Sequence, residues 1–127
     1  MVNSFRDLQV YQRSFDLAMK IFHLSVEFPK VEQYALTDQI RRSSRSVSAN
    51  LAEAWGKRRY PAVFVNKLSD SEAESLETQS WLDFAIACNY LDAATGESIR
   101  AEYDAIVHTL VGMQNHHEQW CFPRKVR

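Results

Sequence analysis

The chain has 127 residues, enough for one domain closed around one hydrophobic core. A hydrophobic share of 46% and an aromatic share of 12% exclude a disordered polymer, and 15 basic against 16 acidic residues leave a net charge of −1, which excludes a global field drawing the molecule to nucleic acid or membrane. Two cysteines, Cys88 and Cys121, exclude a disulfide framework, and Lys20 and His23 break the most apolar segment well short of the roughly 18 residues of a membrane span, so a cytoplasmic protein without a membrane partner is expected.

Prolines punctuate the chain. Pro29 follows one periodic run, Pro61 opens another and Pro123 closes the last, as a residue without an amide proton dictates. Gly56 stands where a left-handed C-cap is wanted, and Asp92 stands where a carboxylate can accept an orphan backbone N–H. The segments between are helices over about 6–28, 34–55, 61–90 and 93–119, followed by a basic tail at 123–127. No strand-type alternation or repeat competes with them, so residues 1–127 are expected to form a single all-α, antiparallel four-helix-bundle domain.

The first helix carries two apolar stripes. Leu8, Tyr11, Phe15, Phe22 and Val26 form the expected core face. Val10, Leu17, Ile21, Leu24 and Phe28 form a second stripe about 135° away, more apolar surface than a peripheral helix in a monomer needs, and they are expected to face a second copy of the chain. In the second helix, Leu36, Ile40, Ser43 or Ser44, Val47, Leu51 and Ala54 make the bundle face. Opposite them, Ser48, Ala49 and Ala52 are small enough for another helix to approach and join the expected oligomer interface.

The third helix has a seam of Phe64, Leu68, Ser71, Ser75, Thr78 and Leu82, whose small hydroxyl side chains let a neighbouring helix, or a ring such as Phe15 or Trp55, come close. The fourth has a single narrow seam of Ile99, Tyr103, Ile106, Leu110 and Met113. Gly96 and Gly112 weaken it by about 1 kcal/mol each, and close packing is the expected reason for both.

Charge is segregated along the chain. Residues 41–59 hold Arg41, Arg42, Arg45, Lys57, Arg58 and Arg59 against Glu53, whereas residues 70–83 hold Asp70, Glu72, Glu74, Glu77 and Asp83 and no cation. The cations either engage phosphates of RNA or DNA, for which the guanidinium fork is suited, or lie over acidic helix three of the same or a neighbouring subunit and orient an assembly. Paired or solvated clusters are the commoner case. Lys57, Arg58 and Arg59 also complement the dipole at a helix end, and Arg124, Lys125 and Arg127 extend the basic character of the tail.

The runs "ALTDQIRRSSRSVSANLAEAWGKRRY", "FRDLQVYQRSFDLA" and "SLETQSWLDFAIACNYL" resemble the bacterial four-helix-bundle family of 23S rRNA intervening-sequence proteins, with similarity also to the accessory proteins of diversity-generating retroelements. The resemblance implies an up-down bundle, a ring-like homopentamer and a link to nucleic acid, and it supplies no catalytic residues. Relatives often carry proline in the middle of helix two, where this chain has Ser46-Val47-Ser48-Ala49-Asn50, which predicts a straighter helix.

Catalytic chemistry has little to stand on. Three glycines cannot write a P-loop, a dinucleotide fingerprint or a nucleophile elbow, and no histidine follows a glutamate at the spacing of a di-iron helix. His117 and Cys121 lie four apart, yet Pro123 ends the helix that would seat a metal between them, so no metal, cofactor or small-molecule substrate is expected. His23 and His108 read as surface residues, Cys88 as a core thiol, and Glu74 and Glu77 as a solvated or ion-pairing strip. The expected protein is non-enzymatic and self-assembling, with nucleic-acid binding through the helix-two cations or a pure scaffold role as the two alternatives.

Overall fold

In the computed structural model, which describes residues 1–123, the chain forms four helices: α1 (Gln9–Ser25), α2 (Asp38–Gly56), α3 (Pro61–Ala87) and α4 (Ala93–Asn115). Single helical turns at Phe5–Asp7, Lys30–Glu32 and His117–Gln119 flank them, and there is no strand among the described residues. Each helix packs on the next and α4 closes back on α1, so the short connections make an antiparallel bundle in which α1 and α3 stand diagonally opposed.

Local chemistry explains the boundaries. Pro61 occupies the first turn of α3, and the Asp92 carboxylate accepts from the amides of Ala94 and Thr95 and from the Thr95 hydroxyl at the start of α4. These bonds hold the Asp92 carboxyl below the usual carboxylate range. Five expectations are corrected. Gly56 is the last residue of α2 with a negative φ and caps nothing; the left-handed residue is Asn89, at φ 61°, and it stops α3 three residues short of the expected end. Asparagine tolerates that conformation, and the turn is closed by a bond from the Tyr90 amide to the Ala85 carbonyl at 2.9 Å. Helix one ends at Ser25 rather than near residue 28, and α2 is preceded by a π-helical turn over Gln33–Thr37 in which the Asp38 amide reaches back to the Gln33 carbonyl. Helix four ends at Asn115, with residues 117–119 forming a separate 3-10 turn.

The core seams of α2, α3 and α4 are as expected: every residue assigned to them is buried, Ser43, Ser71, Ser75 and Thr78 included. Each of these four hydroxyls finds a partner, whereas the buried Tyr103 hydroxyl of α4 has none. The Ser71 hydroxyl donates to the Val47 carbonyl at 2.7 Å, the Thr78 hydroxyl donates to Ser43 Oγ at 2.8 Å, and the Ser75 hydroxyl donates within its own helix to the Ser71 carbonyl at 3.0 Å. α2 runs unbroken through Ser46–Asn50. Gly96 is buried, and a Cβ there would lie 2.5 Å from Ile86 Cδ1, so close packing is its reason; Gly112 has nothing within 4 Å of such a Cβ, so packing does not explain it.

Two comparisons check this account. Ser71→Ala, which breaks an inter-helix bond, should cost about 1 kcal/mol in urea unfolding, whereas Ser75→Ala, which breaks only an intrahelical back-bond, should cost clearly less. Gly112→Ala should stabilise by about 0.5–1 kcal/mol through helix propensity alone; Gly96→Ala should lose that gain because Ile86 must move to accommodate it.

Candidate interaction surfaces

The two stripes of α1 exchange the roles expected of them. Val10, Leu17, Ile21 and Phe28 are buried in the protomer's own core and Leu24 packs partly against it, so these residues are not available to a second copy. Ser14, Ala18 and Ser25 lie on the same side and are buried too, because they are small enough to let α1 settle on α2; the Ser14 and Ser48 hydroxyls meet at 2.8 Å. Ser48 is therefore an internal contact, Ala52 is half-buried and Ala49 alone of the three stays exposed. The outward face carries Phe15, 50% exposed, Met19, and Val26, 60% exposed, with Tyr11 and Phe22 half-buried beside them. Of the stripe expected in the core, only Leu8 is buried. Cys88, expected as a core thiol, is exposed, since α3 has ended before it; His23 and His108 are exposed as expected.

The helix-two cations do not act as one cluster. Arg41 donates through Nε to Ser25 Oγ at 2.7 Å and lies over the Phe22 ring at 4.9 Å, with Arg45 over the same ring at 5.6 Å. A guanidinium is weakly hydrated and planar, so it covers an aromatic face while keeping its charge toward water. Arg42 turns the other way and pairs with Glu77 Oε2 at 3.3 Å, an acid that also accepts from the Trp81 indole at 3.2 Å. Glu74, beside them, has its carboxyl pushed up by burial and by the neighbouring Glu77 charge. Lys57, Arg58 and Arg59 begin twelve residues beyond Arg45, about 18 Å along the helix axis.

Arg58 is held at the α2–α3 corner. Its Nε donates to the Trp55 carbonyl at 2.8 Å and its guanidinium lies 3.5 Å over Trp55 and 4.7 Å from the Phe122 ring centre; burial lowers its pKa from the ordinary value. Lys57 and Arg59 are exposed, and the cations of the tail, Arg124, Lys125 and Arg127, lie outside the described residues.

The outer face of α3 was not singled out from the sequence. Ala73, Leu76, Ser80, Phe84 and Ala87 recur at steps of three and four, all are exposed, Phe84 by 56%, and Asp70, Glu77 and Asp83 flank them. The signal was present in that uncharged spacing, as it was for α1 in the small residues beside the true core stripe. Among the described residues no group of three or more His, Cys, Asp or Glu is placed to hold a metal ion, and no helix is long and apolar enough to cross a membrane.

Comparison with known proteins agrees with the four-helix fold. No curated protein matches the sequence. A crystal structure of a protein of unknown function from the S23 ribosomal protein family of Bacteroides thetaiotaomicron is similar, at 29% identity and a TM-score of 0.74, covering 83% of this chain and 97% of that one. The model of the 23S rRNA-intervening sequence protein family matches residues 6–112, and the chain belongs to that family.

Proposed function

We propose that the protein is a non-catalytic, self-assembling scaffold in which the outer face of α1 in one copy receives the outer face of α3 in the next. The observation that carries this reading is complementarity. The apolar strip of Phe15, Met19, Phe22 and Val26 is bordered by Arg41 and Arg45, and the apolar strip of Leu76 and Phe84 is bordered by acids. Exposed apolar strips of this kind on a small bundle mark an interaction surface.

The two faces sit on diagonally opposed helices, so a single two-fold contact cannot satisfy both. Each copy offers one face and accepts the other, a heterologous contact that closes into a ring when the rotation permits. Five copies is the count the family resemblance implies. Arg42 is paired with Glu77 in its own protomer, which favours assembly over phosphate binding at that residue, while Arg41 and Arg45 keep their charge toward water beside the apolar strip.

Light scattering should give a mass near five protomers of 14.7 kDa. Phe15→Glu, on the surface, removes one of the two faces from every copy and should give a folded monomer, and Phe84→Arg should do the same. Mixed, these two variants each retain one good face and should form a one-to-one heterodimer. A wild type that is monomeric at about 100 µM, or a Phe84→Arg protein that keeps the native mass, overturns the arrangement. Leu17→Asp places a carboxylate in the protomer's core, and a loss of helical circular dichroism, not a soluble monomer, is the expected result.

A further inference from the structure

The internal bonds of the bundle fix how high α1 stands against α3. Ser14 of α1 meets Ser48 of α2 at 2.8 Å, and next to Ser48 the Val47 carbonyl accepts from Ser71 of α3 at 2.7 Å. Nearly two turns further up, Arg41 of α2 reaches Ser25 of α1, and Ser43 takes the Thr78 hydroxyl of α3 at 2.8 Å. α1 and α3 point the same way, so each α1 residue stands level with the α3 residue about 56 positions later, to within a residue or two at roughly 1.5 Å each.

On that scale the two outer strips interleave when one copy is set beside another at equal height. Phe15 falls just below Ala73 of the next copy, Met19 beside Leu76, Phe22 between Leu76 and Ser80, and Val26 between Ser80 and Phe84. The rings of α1 meet the smallest side chains of α3, as knobs meet holes. The flanks agree. Arg41 and Arg45 lie over Phe22 and border the α1 strip on its α2 side. Glu77, paired with Arg42 of α2 and bonded to Trp81, whose ring lies 5.9 Å from that of Phe84, borders the α3 strip on its α2 side too. Arg45 sits between Ser43, level with Thr78, and Val47, level with Ser71, and so within one turn of Glu77 in height.

Strips several turns long cover each other only where the helices of neighbouring copies run side by side. A ring repeats each copy by rotation alone, and rotation keeps helix directions parallel only when its axis lies along the bundle; closure then permits no rise. Resting on the scaffold reading above, we infer that neighbouring copies meet in parallel with no axial shift, Phe15 against Ala73, Met19 against Leu76, and Arg45 paired with Glu77 of the next copy. Both faces flank α2, so α2 lines the inner side of the ring and every α2–α3 corner sits on one rim.

The test is disulfide trapping in the full chain carrying Cys88→Ser and Cys121→Ser, which remove the native thiols. With Met19→Cys and Leu76→Cys added, mild oxidation should give a ladder on a non-reducing gel that ends at the native subunit number. These positions lie on diagonally opposed helices of one bundle, so a bond between them joins two copies. Met19→Cys with Ala87→Cys, a pair about 18 Å apart in height, should give less than about a tenth of that product. Arg45→Glu should raise the concentration at which the ring comes apart about fivefold or more in 50 mM salt, and adding Glu77→Arg should recover most of that loss. Native circular dichroism of the reversed pair confirms that Arg42, deprived of its acid, leaves the fold intact. An assembled protein without the Met19–Leu76 ladder, or a reversed pair no better than Arg45→Glu alone, overturns the alignment and leaves the scaffold reading standing. A monomeric wild type overturns both. Where the cysteine variants fail to assemble, the charge reversal decides.

Discussion

The close approach of α2 to α3 is the constraint from which the rest of the molecule follows. Ser43, Ser71, Ser75 and Thr78 occupy positions where a bundle ordinarily places leucine or isoleucine, and their small volume draws the two helices together. A buried hydroxyl is costly without a partner, and here each is bonded, either within its own helix or across the gap to Val47 and Ser43. Register between α2 and α3 is thereby specified by directional contacts as well as by packing.

With one face of α2 committed to α3, its other face is left for α1. Ser48 meets Ser14 there, and Arg41 reaches Ser25, so α1 must present its small residues inward and its rings outward. The arginines then adapt to what α1 exposes. Arg41 and Arg45 lie on Phe22, covering part of an apolar face without losing hydration of their charge, while Arg42 bridges to Glu77 on the opposite side of α2. The basic segment of α2 and the acidic segment of α3 meet directly in that exposed ion pair, which contributes little to stability. What remains is a bundle with a cation-bordered apolar strip on one side and an acid-bordered strip on the diagonal one.

The ends of the bundle differ in kind from its sides. At the α2–α3 corner the C-terminal segment is pinned by the Arg58 carbonyl and by the stack of Trp55, Arg58 and Phe122, so residues distant in sequence share one concavity.

The sequence by itself determined the four helices, their order, the seams of α2, α3 and α4, and the caps at Pro61 and Asp92, because periodicity, proline and carboxylate chemistry act over a few residues. It also determined the family, through runs that span most of the chain. Which stripe of α1 faces inward was decided only by the tertiary structure. Two apolar stripes of similar length carry the same periodic signal, and the choice rests on whether Ser14, Ala18 and Ser25 can nest against α2, a contact between segments more than ten residues apart. The partners of the arginines were decided the same way: a run of cations states charge, while the direction of each guanidinium depends on where Phe22, Glu77 and Trp55 stand once the helices have packed.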